Sequence, residues 1–289
     1  MSLIFRPSFF KGLPERIDVP NDEIVLKGTL GRTVILVHGL TGTPNEMRHL
    51  AFTLNRQGYS VICPRLANHG QPLRILKRTT WEEFYESLRV VFLKALETGD
   101  RVYVAGLSMS ALFVLLLAEE FGEKLSGGVC LAPTLFFDGW NVPWYNRLLP
   151  LAAYTPFEYS IYFKEDPPYG IKNERMRAMV HRYFSKAKIG DIDGISKFGY
   201  AFFPIALFRQ LHLLAKRIIP MLDRVTTPML LIHPEEDDTA SVRNSELIFQ
   251  GISSPVKKLV VLKDSYHVIT ADQQRETVAQ ETLEFLKAI

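Results

Sequence analysis

The sequence is poor in several features that would narrow its class at once. Its 289 residues include only two cysteines, Cys63 and Cys130, each inside an apolar run, with no C-x-x-C or zinc-ligand spacing. That excludes a disulfide scaffold and a cysteine-ligated metal centre, and leaves two buried, inert thiols as the reading. No apolar run approaches the roughly 18 residues that a membrane span needs. The opening MSLIFRPSFFKGLPER has neither a signal-length apolar core nor a small-residue cleavage site, so a soluble cytoplasmic protein is expected, with Phe5, Phe9 and Phe10 packed on its body. Charge of one sign is lacking too: the formal net charge is +3, and the whole chain carries no electrostatic footprint for nucleic acid. There is no internal repeat and no low-complexity tract.

What is present is an ordinary globular composition, 47% hydrophobic and 22% charged, on a chain long enough for one large α/β domain with an insertion. Seven short apolar runs rich in β-branched residues predict strands over 24–28, 33–38, 59–63, 102–105, 128–131, 229–233 and 259–262. Most are apolar on both faces, as in a parallel sheet covered on both sides, and only the first reads as an edge. Helical segments alternate with them. The S/T-x-x-E/Q pattern at Thr43, Thr80 and Thr270 predicts three capping boxes, the first with Pro44 at the opening helical position. The alternation predicts a doubly wound, mostly parallel α/β sheet.

The alternation stops after Ala132. From 133 to 227 no strand is predicted. The segment first runs through a stretch dense in aromatics and prolines, including Phe136, Phe137, Trp140, Trp144, Tyr145, Tyr154, Phe157, Tyr162, Phe163 and Tyr169. It then turns helical over about 173–187 and 204–218. Such an insertion is too long for a bare loop. It predicts a helical cap above the carboxyl ends of the strands, with core at 1–132 and 228–289 and cap at 133–227. The aromatics then divide between cap core and an acyl pocket. The cap segment holds 13 Lys and Arg against 8 Asp and Glu, so it is more basic than the whole. Either this is a solvated helical surface, or it is a landing site for an acidic partner such as an acyl carrier protein, coenzyme A or an anionic bilayer.

One stretch carries chemistry. In VYVAGLSMSALFVLLLAEEF a predicted strand ends at a G-x-S and a helix follows at once. A bare G-x-S occurs about once by chance in a chain this size. Between strand and helix, however, the turn lifts the Ser108 hydroxyl above the sheet edge and aims the next backbone N–H at a bound carbonyl. Serine needs a histidine to take its proton and an acid to orient that histidine. His267 follows the last strand, and PMLLIHPEEDDTAS places Glu235, Glu236, Asp237 and Asp238 past another, both at the carboxyl edge. The loop after His38-Gly39 supplies Leu40 N–H, which with Met109 N–H would cradle an oxyanion. His38, His69 and His233 read as structural, His38 ordering the oxyanion loop, while His181 and His212 lie in the cap and read as uninvolved.

With H-G-L-T-G-T-P at 38–44, L-A-N-H-G at 66–70, V-A-G-L-S-M-S at 104–110, H-P-E-E-D-D-T-A-S at 233–241 and S-Y-H-V-I-T at 265–270, the chain resembles the α/β-hydrolase superfamily. Within it, the likeness is to bacterial carboxylesterases and monoacylglycerol-lipase-like serine hydrolases. The resemblance covers the frame and not the cap. It implies an α/β-hydrolase fold, Ser108 as nucleophile, His267 as base and Asp237, ahead of Asp238, as orienting acid. It also implies hydrolysis of small-molecule carboxylic esters through an acyl-enzyme, without cofactor or metal. Two departures stand out. Asn68 replaces a glycine common before His69-Gly70. Ser110 replaces the last glycine of G-x-S-x-G, for which a slightly wider elbow or a hydroxyl bonded to nearby backbone is expected. Three alternatives stay open: a thioesterase or acyltransferase on carrier-bound acyl groups; a peptidase, though no acid in the cap announces a partner for a substrate amine; and an inactive hydrolase-fold binding protein, for which Ser110 is the only support.

Overall fold

The computed structural model describes residues 2–5, 16, 22–142, 153–187 and 195–289. In chain order the strands are β1 (Ser2–Phe5), β2 (Ile24–Leu26), β3 (Arg32–Val37), β4 (Ser60–Cys63), β5 (Arg101–Leu107), β6 (Gly127–Leu131), β7 (Ile161–Lys164), β8 (Ile195–Ser196), β9 (Gly199–Tyr200), β10 (Phe202–Pro204), β11 (Met229–Pro234) and β12 (Lys257–Leu262). The α-helices are α1 (Arg48–Arg56), α2 (Leu73–Leu76), α3 (Trp81–Leu96), α4 (Met109–Phe121), α5 (Glu174–Phe184), α6 (Ile205–Ile218), α7 (Arg243–Gly251) and α8 (Arg275–Ala288).

Seven strands form the main sheet in the order β12-β11-β6-β5-β3-β4-β2. All its neighbours run parallel except β2, which is antiparallel to β4. Side chains alternate between two faces, as a period of two requires. Val34, Leu36, Tyr103, Ala105, Val129 and Leu131 pack on the face that α1 and α8 cover. Ile35, Val37, Val102, Val104 and Cys130 pack on the face of α3 and α4. The sheet is therefore doubly wound, as predicted. Helix α4 is apolar all round, and its residues from Met109 to Ala118 are all buried. Burial on every side is what such a helix demands, at about 1.5–3 kcal/mol for each large apolar side chain. Helix α6, from the insertion, packs over α3 and α4 and closes that side. Both thiols are buried, and burial pushes Cys63 up to about 12 and Cys130 higher still. Two buried, inert thiols were expected.

Three expectations need correction. The first strand is not the only edge: β12 closes the opposite side of the sheet and is half-buried or exposed along most of its length, because no strand lies beyond it among the described residues. Only one of three capping boxes forms, at Thr80, where Thr80 Oγ1 accepts from Glu83 N and Glu83 Oε2 from Thr80 N. At the other two, distant partners outcompete the local pattern. Glu46 Oε2 accepts from Gly39 N at 2.9 Å, while Thr43 Oγ1 donates to Lys197 O. Gln273 Oε1, the third-position partner in the Thr270 box, accepts instead from Asn173 Nδ2 at 3.3 Å, and α8 begins only at Arg275.

The third concerns the insertion, which carries strands that the sequence did not announce. β7 is flanked by β10 and by β1 in an antiparallel three-stranded sheet, so the first residues of the chain join the insertion. β8 and β9 form a small hairpin. Phe9, Phe10, Trp144 and Tyr145 lie outside the described residues. Helices α5 and α6 fall where helices were predicted, and Asn173 caps α5 by accepting from Met176 N.

The insertion starts on a polar clamp. Asn244 is fully buried; its Oδ1 accepts from Leu135 N and Phe136 N at 2.9 and 2.8 Å, and its Nδ2 donates to Asp138 Oδ1 and Ser241 O. Asn244→Ala strands two backbone donors as the insertion leaves the sheet. A loss of about 2–4 kcal/mol is expected in urea unfolding, with the m-value unchanged; a loss under about 1 kcal/mol would contradict this role.

Candidate active site

Ser108 sits where β5 gives way to α4, at φ 58° and ψ −117°. A side chain in that region costs on the order of 1–3 kcal/mol. The turn is held by Ser108 N donating to Leu131 O at 2.8 Å, and by Ala111 N donating to Ser108 O. Gly106 permits it: a Cβ there would lie 2.2 Å from Ser110 O, inside the first turn of α4. Ser110, in place of the usual glycine, is accommodated by a hydrogen bond from its buried hydroxyl to His38 O at 2.5 Å. The hydroxyl thus bonds to nearby backbone, one of the two outcomes expected for this departure. It ties the turn at Ser108 to the loop after β3. Asn68 adopts φ 59°, a left-handed conformation that asparagine tolerates better than most residues, which explains how it replaces a glycine.

Three chain segments converge at this point. His267 Nε2 lies 2.9 Å from Ser108 Oγ, and His267 Nδ1 lies 2.8 and 3.1 Å from the two carboxylate oxygens of Asp237. With Nδ1–H donating to the carboxylate, Nε2 is left to accept the serine proton. Asp237 is almost completely buried and accepts Thr239 N and Ala240 N, both at 2.8 Å. Burial opposes its charge, but His267 and His233 outweigh that and hold the carboxyl far below its usual range. Burial likewise opposes a charged His267, yet Asp237 beside it lifts the imidazole above its ordinary value. Asp238 faces elsewhere: it accepts His267 N and Gly170 N, joining the histidine loop to the insertion. Glu235 and Glu236 point outward, to Lys263 and Lys172.

Leu40 and Met109 border the same cleft as Ser108. Met109 N–H opens α4 and, like any first helical amide, has no intrahelical acceptor. The loop bearing Leu40 is fixed by two buried histidines in edge contact at 4.6 Å. His38 Nδ1 donates to Gly39 O and its Nε2 accepts from Leu66 N; His69 Nε2 donates to Leu40 O at 2.7 Å. Burial drives both below the ordinary value, His69 to about 4 despite the backbone oxygens that favour its charge. They are neutral braces, as the sequence suggested for His38. His233 is a brace as well, between Ser245 Oγ and Ala240 O, and lies 3.3 Å from Asp237 Oδ2. Neither His181 nor His212 borders the cleft.

The cleft, its open mouth included, encloses about 1230 Å³. Its lining is rich in aromatics, with Phe137, Phe163, Phe184, Phe203 and Phe208. Exposed Trp140, Tyr154 and Phe157 face away, and Tyr162 is packed inside. The lining also carries four carboxyl groups, those of Glu46, Glu165, Asp166 and Asp238. Burial pushes Glu46 and Glu165 up to about 7, so both titrate near neutrality. Sequence reasoning missed several of these groups. Glu46 was read as half of a capping box, and Glu165 and Asp166 carried no signal. Nor did Thr134, whose hydroxyl lies 3.2 Å from Ser108 Oγ.

Comparisons with known proteins agree with this frame. Residues 29–274 match the profile of the Hydrolase_4 family, serine aminopeptidase S33. The chain is 30% identical over 256 residues to the thermostable monoacylglycerol lipase of Bacillus sp. (strain H-257), spanning 87% of this chain and 89% of that one. It is 24% identical to a carboxylesterase of Bacillus subtilis (strain 168), over 89% and 93% of the two chains. Among solved structures it resembles a metagenome-derived lipolytic enzyme at 26% identity and TM-score 0.73, covering 94% of this chain and 99% of the other. A monoacylglycerol lipase of Paleococcus ferrophilus shares the fold at 20% identity, with TM-score 0.73 and coverage of 94% and 98%. The frame, the strand-to-helix turn at Ser108 and these relatives lead to one statement: the chain belongs to the serine aminopeptidase S33 family of α/β-hydrolases.

Proposed function

We propose that this lipase- and esterase-type hydrolase cleaves small-molecule carboxylic esters through an acyl-enzyme on Ser108, with residues 133–227 as its cap. The observation that carries the reading is the continuous line from Asp237 to His267 Nδ1 at 2.8 Å and from His267 Nε2 to Ser108 Oγ at 2.9 Å. His267 takes the Ser108 proton as Oγ attacks the acyl carbonyl. The oxyanion is met by the N–H groups of Leu40 and Met109, where one such donor is worth about 100- to 1000-fold in rate. His267 then protonates the leaving alcohol, and water cleaves the acyl-enzyme by the same path. The aromatic lining groups suit an acyl chain and the carboxyl groups a hydroxyl-bearing alcohol, a combination that fits a monoacylglycerol such as the Bacillus relative's name describes.

Glu165 and Asp166 favour one second reading. They are acids of the insertion on the cleft wall, and so could meet the amine of an aminoacyl substrate. Comparing turnover of p-nitrophenyl esters, monoacylglycerols and aminoacyl p-nitroanilides separates the two. Ester turnover exceeding anilide turnover is expected; the reverse would make the protein an aminopeptidase.

A fluorophosphonate probe is expected to label the wild-type protein and leave Ser108→Ala unlabelled. Equal labelling of both, or none of the wild type, would overturn the reading in favour of a binding protein. Asp237→Asn is expected to cut kcat by about 10⁴ by loss of the required tautomer. Activity requires neutral His267, and its protonated form is stabilised by Asp237. Activity should therefore be lost as pH falls through a value above the ordinary imidazole value of about 6.5. An acid limb of kcat/KM at or below that value would contradict the Asp237–His267 coupling.

A further inference from the structure

Helix α5 shows two unlike faces. Val180 and Phe184 are buried, and Phe184 reaches the wall of the cleft. The opposite stripe is exposed: Arg175, Met179, Arg182 and Tyr183 fall within about a quarter of the helical circumference, and Lys186 continues the line just past the helix end. Lys197, also exposed, projects from the turn of the β8–β9 hairpin, with its ammonium 5.6 Å from the centre of the Tyr183 ring and 5.0 Å from that of Phe198. None of these four cations forms an ion pair among the described residues. Among the described residues of α5 itself the acid is Glu174, at the helix N-terminus.

We propose that this face docks the protein on an anionic phospholipid bilayer. Three observations point to that partner. The cations are unpaired and clustered, which matches the negative potential of such a surface. Between them stand Met179, 38% exposed, and Tyr183, 47% exposed, side chains that insert among headgroups while neighbouring basic chains reach outward. The face is also continuous with the cleft: Tyr183 packs edge-on against Phe198 at 5.3 Å, and Phe198 and Phe184 both line the cleft. A protein seated here stands beside the phase in which apolar esters reside. The hairpin bearing Lys197 also touches the oxyanion loop, since Lys197 O accepts from Thr43 Oγ1 and Tyr200 N donates to Thr41 O. Docking and active-site loop thus share one hairpin.

The test is co-sedimentation of the full chain with phosphatidylcholine vesicles, with and without phosphatidylglycerol. Binding is expected only to the anionic vesicles and should weaken with salt. Replacing Arg182→Gln and Lys186→Gln together should lower the partition coefficient about 25-fold, about fivefold for each basic side chain. The pair Arg56→Gln and Arg243→Gln, exposed on α1 and α7, should leave it unchanged. No binding to anionic vesicles, equal binding to neutral ones, an equal loss in the control pair, or retention on an acidic carrier protein and not on vesicles would each overturn the proposal. Sedimentation needs no turnover. Ser108→Ala protein should bind as wild type does, so this proposal and the hydrolase reading stand or fall separately.

Discussion

A carboxylate sunk in the protein interior is the constraint on which the site depends. Asp237 is 2% exposed, and an isolated charge at that depth would be neutralised before it was tolerated. Its charge persists because Thr239 N–H, Ala240 N–H, His267 and His233 all converge on it. That convergence requires β11 to end where the loop after β12 returns over it. It also requires the pair to stand beside the end of β5, where the sheet order places β6 between β5 and β11. The sheet is in this sense a jig for one buried carboxylate–imidazole pair and the hydroxyl next to it.

The turn at Ser108 stores strain that the rest of the fold must hold. Gly106 lets the first turn of α4 come against β5, and the buried Ser110 hydroxyl anchors that turn to His38 O. His38 and His69, kept neutral by burial, brace the neighbouring loop, and Glu46 caps Gly39 N–H from below. The strained turn and the loop after β3 are therefore parts of one hydrogen-bonded unit. The insertion joins it from above through Gly170, which donates to Asp238 and accepts from Val268 N at a φ of 71° that favours glycine.

Much of this was legible because it is written locally. A buried strand followed by G-x-S and an apolar helix marks Ser108, and apolar strand ends mark the loops of Asp237 and His267. Seven strands and their alternation with helices follow from short apolar runs rich in β-branched residues and from helical patterns between them. What was not legible depends on distant partners. The S/T-x-x-E pattern at Thr43 and the S/T-x-x-Q pattern at Thr270 suit a capping box, yet Glu46 and Gln273 spend their oxygens on partners elsewhere in the chain. β7 and β10 are short, and β7 pairs with β1 from the far end of the chain, so no local alternation announces the sheet. β12 is apolar enough to resemble a central strand, and only the absence of a further neighbour in the sheet makes it an edge. The acids on the cleft wall, Glu165 above all, acquire meaning only once the insertion is folded over Ser108.

The account makes Ser108 the atom that carries the acyl group between the two halves of the reaction. Rapid quenching of the protein during turnover of a p-nitrophenyl ester, followed by peptide mass spectrometry, observes that intermediate directly. The account predicts the mass of one acyl group on the peptide containing Ser108, appearing with the first burst of alcohol. Turnover with no adduct there, or an adduct on another residue, would contradict it.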